Sequence, residues 1–256
     1  MQLVSLTTDF GSKDYYVAEL KASILSGKRD FTIIDVSHNI DQYDIIQASY
    51  FLSNCIISFP PDSIHLVAVN CNYRRKSRYI CFKRDEKFFI GPDNGVFSLM
   101  FDDMDTQDVY IIQPPDNGKS SINSIFAHAA AYIGHGLPLE EIGPKAEEIN
   151  QKLKMQPVVT SNQIRATIIH IDHFDNVIIN LKSDMFERVR NERRFELYYK
   201  PNDPITFLSK DYGDVAIGDV VAFFNSAGYL EIGINMDRAA SMLNLVKNEM
   251  IQINFY

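Results

Sequence analysis

Leu3-Val4-Ser5-Leu6-Thr7-Thr8-Asp9-Phe10-Gly11, together with residues 12–36, decides the fold. Residues 3–6 are a short apolar run, and Phe10-Gly11 turns the chain. From Asp14 the apolar residues Val17, Leu20, Ile24 and Leu25 recur at helical spacing until Gly27, a favourable helix stop. Phe31-Thr32-Ile33-Ile34-Asp35-Val36 then reads as a buried strand rich in β-branched residues. Strand, a helix of about 15 residues, and strand make a parallel crossover unit. A second helix starts at Asp44, with Ile45, Ala48, Leu52 and Ile56 on one face, and residues 65–69 form the next buried strand. This alternation predicts an α/β domain whose mainly parallel sheet is flanked by helices.

Further along, residues 79–82 and 87–90 flank Arg84-Asp85-Glu86 as a hairpin. Pro92-Asp93-Asn94-Gly95 and Pro115-Asp116-Asn117-Gly118 are turn signals. The alanine-rich stretch 124–133 reads as a helix ended by Gly134 or Gly136. Between 140 and 157 the chain becomes polar, which predicts a boundary between an N-terminal domain over 1–150 and a second domain over 158–256. In the second part, strand-like runs at 164–171, 176–181, 195–199, 220–224, 229–234 and 250–255 are joined by Gly, Asn and Asp turns. Only one short helix interrupts them, near 184–190. Strands at that spacing predict a small antiparallel β-barrel.

Composition narrows the function classes. The 256 residues carry a net charge of -8 and are 46% hydrophobic, so a sizeable core is available and a basic surface for nucleic acid is not. The one basic run, Arg74-Arg75-Lys76 with Arg78, reads as a solvated loop. Residues 2–6 look like a strand and not a charged leader, and no apolar stretch approaches the roughly 20 residues of a membrane helix. Three cysteines without a C-x-x-C pair argue against a disulfide scaffold and a zinc site. The expectation is a cytoplasmic protein with no metal, no membrane and no nucleic acid partner.

Several residues are candidates for chemistry. Ligands of an open parallel sheet bind beyond the carboxyl ends of its strands, where Asp9 and Asp14 follow the first strand. A carboxylate there suits the two hydroxyl donors of a ribose, although Asp14 equally suits a helix cap. Asp172-His173-Phe174-Asp175-Asn176 offers a carboxylate, rings and an amide within five residues, or an Asx-stabilised corner. Asn225-Ser226-Ala227-Gly228 reads as a turn first. His38 and His65 read as core or strand-edge histidines, and no P-loop, G-x-G-x-x-G or G-x-S-x-G motif is present.

Taken in order, these segments resemble the S-adenosylmethionine hydroxide adenosyltransferases, the group that includes the fluorinase and chlorinase. The resemblance rests on Leu6-Thr7-Thr8-Asp9-Phe10-Gly11 with Asp14, Tyr16 and Val17, on Asp35-Val36-Ser37-His38 with Ile40, and on Phe59-Pro60 before His65-Leu66. It continues through Gly91-Pro92-Asp93-Asn94-Gly95, Ile171-Asp172 with Phe174 and Asn176, and Asn225-Ser226 with Gly228 and Leu230-Glu231-Ile232. It implies an α/β domain followed by a small β-barrel, and a homotrimer that binds its ligand between neighbouring subunits. By the same resemblance Asp14 holds the ribose, Asp172 the methionine ammonium, and Ser226 the methionine carboxylate. Asn176 and the backbone near Ala239 read the adenine edge, and Phe174 lies against its face. S-adenosylmethionine is then a substrate, and no cofactor is implied.

The resemblance fails at one place. Hydrolase members carry an Asp-Arg-His set that activates water. Here the Asp falls at Asn70, the Arg at Ser77 with Arg78 next to it, and the His at the stretch around Ser121. Asn70 keeps a hydrogen-bonding carbonyl without the charge, and Ser121 supplies no base where such groups contribute about 10²–10⁴-fold. Arg78 and Tyr73 are the remaining candidates for positioning water. Three readings result: a slow hydrolase yielding adenosine and methionine, a non-catalytic S-adenosylmethionine or adenosine binder, and a halide-using adenosyltransferase. The last lacks the halogenases' additional loop between Arg78 and Gly91.

Overall fold

A computed structural model describes residues 1–72, 77–114 and 121–256. Tyr73 and the 115–118 turn therefore lie outside the described residues. The chain divides into two compact units, Met1–Leu153 and Lys154–Tyr256.

The N-terminal unit contains β1 (Gln2–Thr8), α1 (Tyr16–Gly27), β2 (Phe31–Ser37), α2 (Ile45–Cys55), β3 (Ile64–Ala68), β4 (Tyr79–Arg84) and β5 (Lys87–Pro92). It continues with α3 (Val96–Met100), β6 (Val109–Ile111) and α4 (Ile122–Gly134). The six-stranded sheet runs β2-β1-β3-β5-β4-β6. Pairings from β2 to β5 are parallel, and β4 is antiparallel to both β5 and β6. Strand alternation separates two cores. Leu66 and Ala68 face the layer of Leu20, Ile24, Phe126 and Ala130, whereas Val67 and Val69 face that of Ala48, Leu52 and Phe97. α1 and α4 pack so closely that a Cβ on Gly27 would stand 2.9 Å from the Ala131 Cβ.

Several expectations need correction. α1 starts at Tyr16, its N-cap residue Tyr15 makes no side-chain cap bond, and Asp14 is therefore not the helix cap. β2 is the edge strand and not a buried one, because only β1 pairs with it and Ile34 and Asp35 face outward. α3 and β6 were not expected. α4 begins two residues early, at Ile122, since the Ser121 hydroxyl caps it by accepting the Ser124 N–H at 3.2 Å.

The C-terminal unit contains β7 (Val158–Val159), β8 (Gln163–Ile171), β9 (Val177–Lys182), α5 (Ser183–Arg190), β10 (Phe195–Tyr198), β11 (Pro204–Ile205), β12 (Val220–Phe224), β13 (Tyr229–Ile234), α6 (Ala239–Leu243) and β14 (Met250–Phe255). All its pairings are antiparallel, in the order β11-β10-β14-β8-β9-β13-β12, with β7 beside β8. Past β11 the Ser209 N–H donates to Ala222 O of β12 at 2.8 Å, which nearly closes the sheet into a barrel. Phe186 of α5 is fully buried against the rings of Phe195, Phe224 and Phe255. α6 is the one helix here that the sequence pattern did not reveal.

Candidate functional site

From β1 the chain passes to β2 on one side, and β3 then pairs on the other. The crevice beyond the carboxyl ends of β1 and β3 is thus a topological switch point. Asp9 organises it. Its Oδ2 accepts the backbone N–H of Tyr43, from the loop after β2, and of Asn70, from the loop after β3, each at 3.0 Å. Both residues hold left-handed backbone, at φ 68° and 50°. That conformation costs roughly 1–2 kcal/mol per residue, and a hydrogen bond to a charged acceptor contributes about 1.5–3 kcal/mol. The carboxylate therefore sets both loops.

A second group fixes the turn after β1. Thr8 Oγ1 and His38 Nδ1 lie 2.9 Å apart, His38 Nε2 stands 3.0 Å from Asp35 Oδ1, and His38 O accepts the Gly11 N–H at 2.7 Å. Burial alone would raise the Asp35 carboxyl, but Lys21 and His38 hold it below its ordinary value. Asp14, farther along this turn, is exposed and makes no hydrogen bond among the described residues. Tyr15 and Tyr16 beside it are exposed, with ring centroids 4.8 Å apart.

The three positions named for catalysis differ in availability. The Asn70 backbone is fully used, by Asp9 at its N–H and by Asn94 Nδ2 at its carbonyl, while its side-chain amide is unengaged among the described residues. Arg78 is committed: its guanidinium bonds to the buried Asp93 and to Glu148 O. Asp93 in turn takes the Asn150 N–H at 2.8 Å and its Nδ2 at 3.0 Å. Ser121 is the α4 cap. His65 is a satisfied core histidine, between Ser5 Oγ at 2.7 Å and Ser63 Oγ at 3.0 Å, and burial lowers its pKa to about 4.

In the C-terminal unit the 172–176 corner is an Asx turn built around Asp172. Its Oδ1 accepts the Phe174 and Asn176 N–H groups at 2.9 and 2.8 Å, and its Oδ2 accepts Asn176 Nδ2 at 3.1 Å. Asp175 ties this corner to α6. Its carbonyl accepts the Ala240 N–H at 2.9 Å and its Oδ2 the Ser241 N–H at 2.7 Å. These Ser241 bonds hold its carboxyl below the ordinary value. Asp172, Phe174, Asn176 and the helix start at Ala239 are thereby gathered together. Phe174 is left 73% exposed, with its ring edge-on to that of His173 at 5.6 Å.

From that corner a polar track follows β13. A Cβ on Gly233 would stand 3.1 Å from Asn176 Oδ1 and 2.8 Å from the Tyr212 ring, so only glycine lets them meet. Tyr212 OH donates to the buried Glu231, whose other oxygen accepts Asn225 Nδ2 at 3.0 Å. Burial and Glu231 push the Tyr212 phenol up. Asn225 Oδ1 accepts the Ala227 and Tyr229 N–H groups at 3.1 Å and shapes the turn that carries the exposed Ser226. Gly233 and Gly228 are five residues apart, roughly 16 Å of strand. Asp172 and Ser226, both assigned to one amino-acid head group, therefore lie at opposite ends of the track and are not brought into contact. Tyr212, Glu231 and Asp175 were missed as site residues; Asp175 and Glu231 lay inside segments already singled out, and Tyr212 carried no signal.

Residues 4–143 match the SAM hydroxide adenosyltransferase N-terminal domain, and residues 166–252 match the corresponding C-terminal domain. The chain belongs to the SAM hydroxide adenosyltransferase family. Within this family it is similar to the (R)-S-adenosyl-L-methionine hydrolase of Methanocaldococcus jannaschii, at 26% identity over 99% of this chain and 96% of that one. A hydrolase of the same name from Thermus thermophilus is 24% identical over 99% of this chain and all of its own length. The fluorinase of Actinopolyspora mzabensis is 22% identical over 98% and 96%. Among solved structures, an uncharacterized conserved protein from Thermotoga maritima has a TM-score of 0.86 at 26% identity, covering 99% of this chain and all of its own. The family's two-domain plan thus coincides with the α/β sheet and the barrel-like sheet described above.

Proposed function

We propose that the protein binds S-adenosylmethionine and hydrolyses it to adenosine and methionine. The carrying observation is the corner at 172–176. Asp172 Oδ1 and Asp175 Oδ2 hold backbone N–H groups, Asp172 Oδ2 holds the Asn176 amide, and the Phe174 ring stands exposed beside Asn176 and the start of α6. Such a ring stacks on a nucleobase for about 1–3 kcal/mol, while Asn176 Nδ2, with one hydrogen on Asp172, has another for the adenine edge. In the other unit the Asp14 carboxylate, unengaged among the described residues, suits the ribose hydroxyls. Asp9 shapes the crevice through its Oδ2. Ser226, at the far end of the β13 track, serves the amino-acid end. Asp172 sets Phe174 and Asn176, and with three hydrogen bonds accepted across its two oxygens it keeps acceptor capacity for the methionine ammonium. The family resemblance supports a homotrimer that brings the two half-sites of neighbouring subunits together, and three free cysteines suit a reducing cytoplasm.

The reaction forms a bond from water oxygen to the 5′ carbon and breaks the bond from that carbon to sulfur. The electron pair stays on sulfur, methionine leaves neutral, and the proton passes to solvent. No acid is required for departure, so aligning water supplies much of the rate. The Asn70 amide, unengaged among the described residues, is the side chain for that alignment. Arg78 and Ser121 each spend part of their hydrogen-bonding capacity on structural bonds. Their commitment also supports a second reading, a binder with little or no turnover. Chromatography of S-adenosylmethionine incubated with the protein separates the two. Adenosine and methionine above the blank support hydrolysis, and saturable binding without product leaves the binder. Adding fluoride or chloride tests the halide reading, which requires a halogenated nucleoside.

A further inference from the structure

The turn at Asn225–Gly228 has a cation over it. Lys182, the last residue of β9, pairs with Tyr229 across the sheet. Its Nζ donates to Ala227 O at 2.5 Å and stands 3.4 Å from the centre of the Tyr229 ring. A Cβ on Gly228 would lie 4.0 Å from the same nitrogen. No carboxylate comes within ion-pair distance of it among the described residues. Asp184 acts on it only from farther away, and Lys154 adds a second positive charge nearby. Burial, opposed by Asp184 and reinforced by Lys154, holds the ammonium below its ordinary pKa. A half-buried cation of this kind is costly without a negative partner.

The turn itself supplies the complementary group. Asn225 is occupied internally, and Ala227 has no polar side chain. The exposed Ser226 hydroxyl is unengaged among the described residues. One ammonium with donors to spare, one free hydroxyl and no acid together describe a carboxylate subsite. We propose that Lys182, with Ser226, binds the carboxylate of the ligand's amino-acid end and makes the site selective for ligands that carry one. This rests on the reading that the ligand is S-adenosylmethionine, and it adds the residue that reads the amino-acid end. Lys182 is a specificity-determining residue and takes no part in bond breaking.

Titration calorimetry on the full chain tests this with adenosine, S-adenosylmethionine and decarboxylated S-adenosylmethionine. The wild-type protein is expected to prefer S-adenosylmethionine over the decarboxylated compound by about 10- to 100-fold, the range of a hydrogen bond to a charged group. Lys182→Met removes that preference and leaves adenosine binding unchanged, and Lys182→Arg restores most of it. Lys182→Gln replaces the methionine variant should that one fail to fold. Equal preference in the wild type and in the Met or Gln variant, with adenosine still bound, overturns the assignment. So does a wild type that binds both adenosyl compounds equally. A protein that binds none of the three refutes the S-adenosylmethionine reading itself, a result distinct from either.

Discussion

The crevice around Asp9 and the corner around Asp172 use carboxylates in different ways. In the first, the carboxylate that builds the loops and the one left for ligand are separate residues, Asp9 and Asp14. In the second, Asp172 and Asp175 both build, and a ring, an amide and the remaining acceptor capacity of Asp172 are left for ligand. A carboxylate near a strand end is thus not a binding residue by position alone. What decides is how much of its acceptor capacity the surrounding loop already takes.

Removing a builder should unfold, and removing a free side chain should only unbind. The largest effect is expected for Asp9→Ala, which releases two left-handed loop residues at once. Denaturant unfolding should show a loss of about 3–4 kcal/mol, somewhat less than two full charged hydrogen bonds because such terms are not additive. A loss below about 1 kcal/mol would place Asp9 with Asp14 and dissolve the contrast.

Acid probes the same contrast from within the N-terminal unit. His65 has a folded pKa lowered to about 4, against an ordinary 6.5. The unfolded chain therefore binds its proton first as pH falls. Stability from this residue is full above about 6.5, declines between 6.5 and 4, and is lost below, amounting to about 3 kcal/mol. Unfolding followed across that window should show the decline, and His65→Phe should flatten it.

Phe174→Ala is expected to weaken adenosine binding by about 1–3 kcal/mol, the range for base stacking, and to leave unfolding unchanged. Calorimetry and thermal unfolding on the same variant check both halves. The smallest effect belongs to Ser121→Ala, a lost cap worth about 1 kcal/mol with the rate of adenosine formation unaltered. A fall in that rate without a fall in stability would return Ser121 to the reaction.

Much of the fold was legible because periodicity and turn chemistry agree along the chain. Asp44 caps α2 as the helical pattern at 45–56 requires, accepting the Ile46 and Gln47 N–H groups at 2.9 Å. Strands β8 to β14 stand out between Gly, Asn and Asp turns. The two helices that escaped, α3 and α6, are five residues each, too short for a 3.6-residue period to register. β2 misled because β-branched residues suit a pleated surface whether or not its second side is paired. At the site, motif order pointed to Asp14, Phe174 and Asn176. It did not reveal the roles of Tyr212, Glu231 or Lys182, whose relation to the turns depends on strand register. Nor did it foresee that Arg78 is bound to the buried Asp93, a contact closed by Asn150 from much later in the chain.

The most direct test is a calorimetric titration of adenosine into the wild-type and Asp14→Ala proteins. Saturable wild-type binding, weakened at least about tenfold in Asp14→Ala while unfolding is unchanged, is the predicted result. Absent binding, or equal binding by both proteins, would contradict the account.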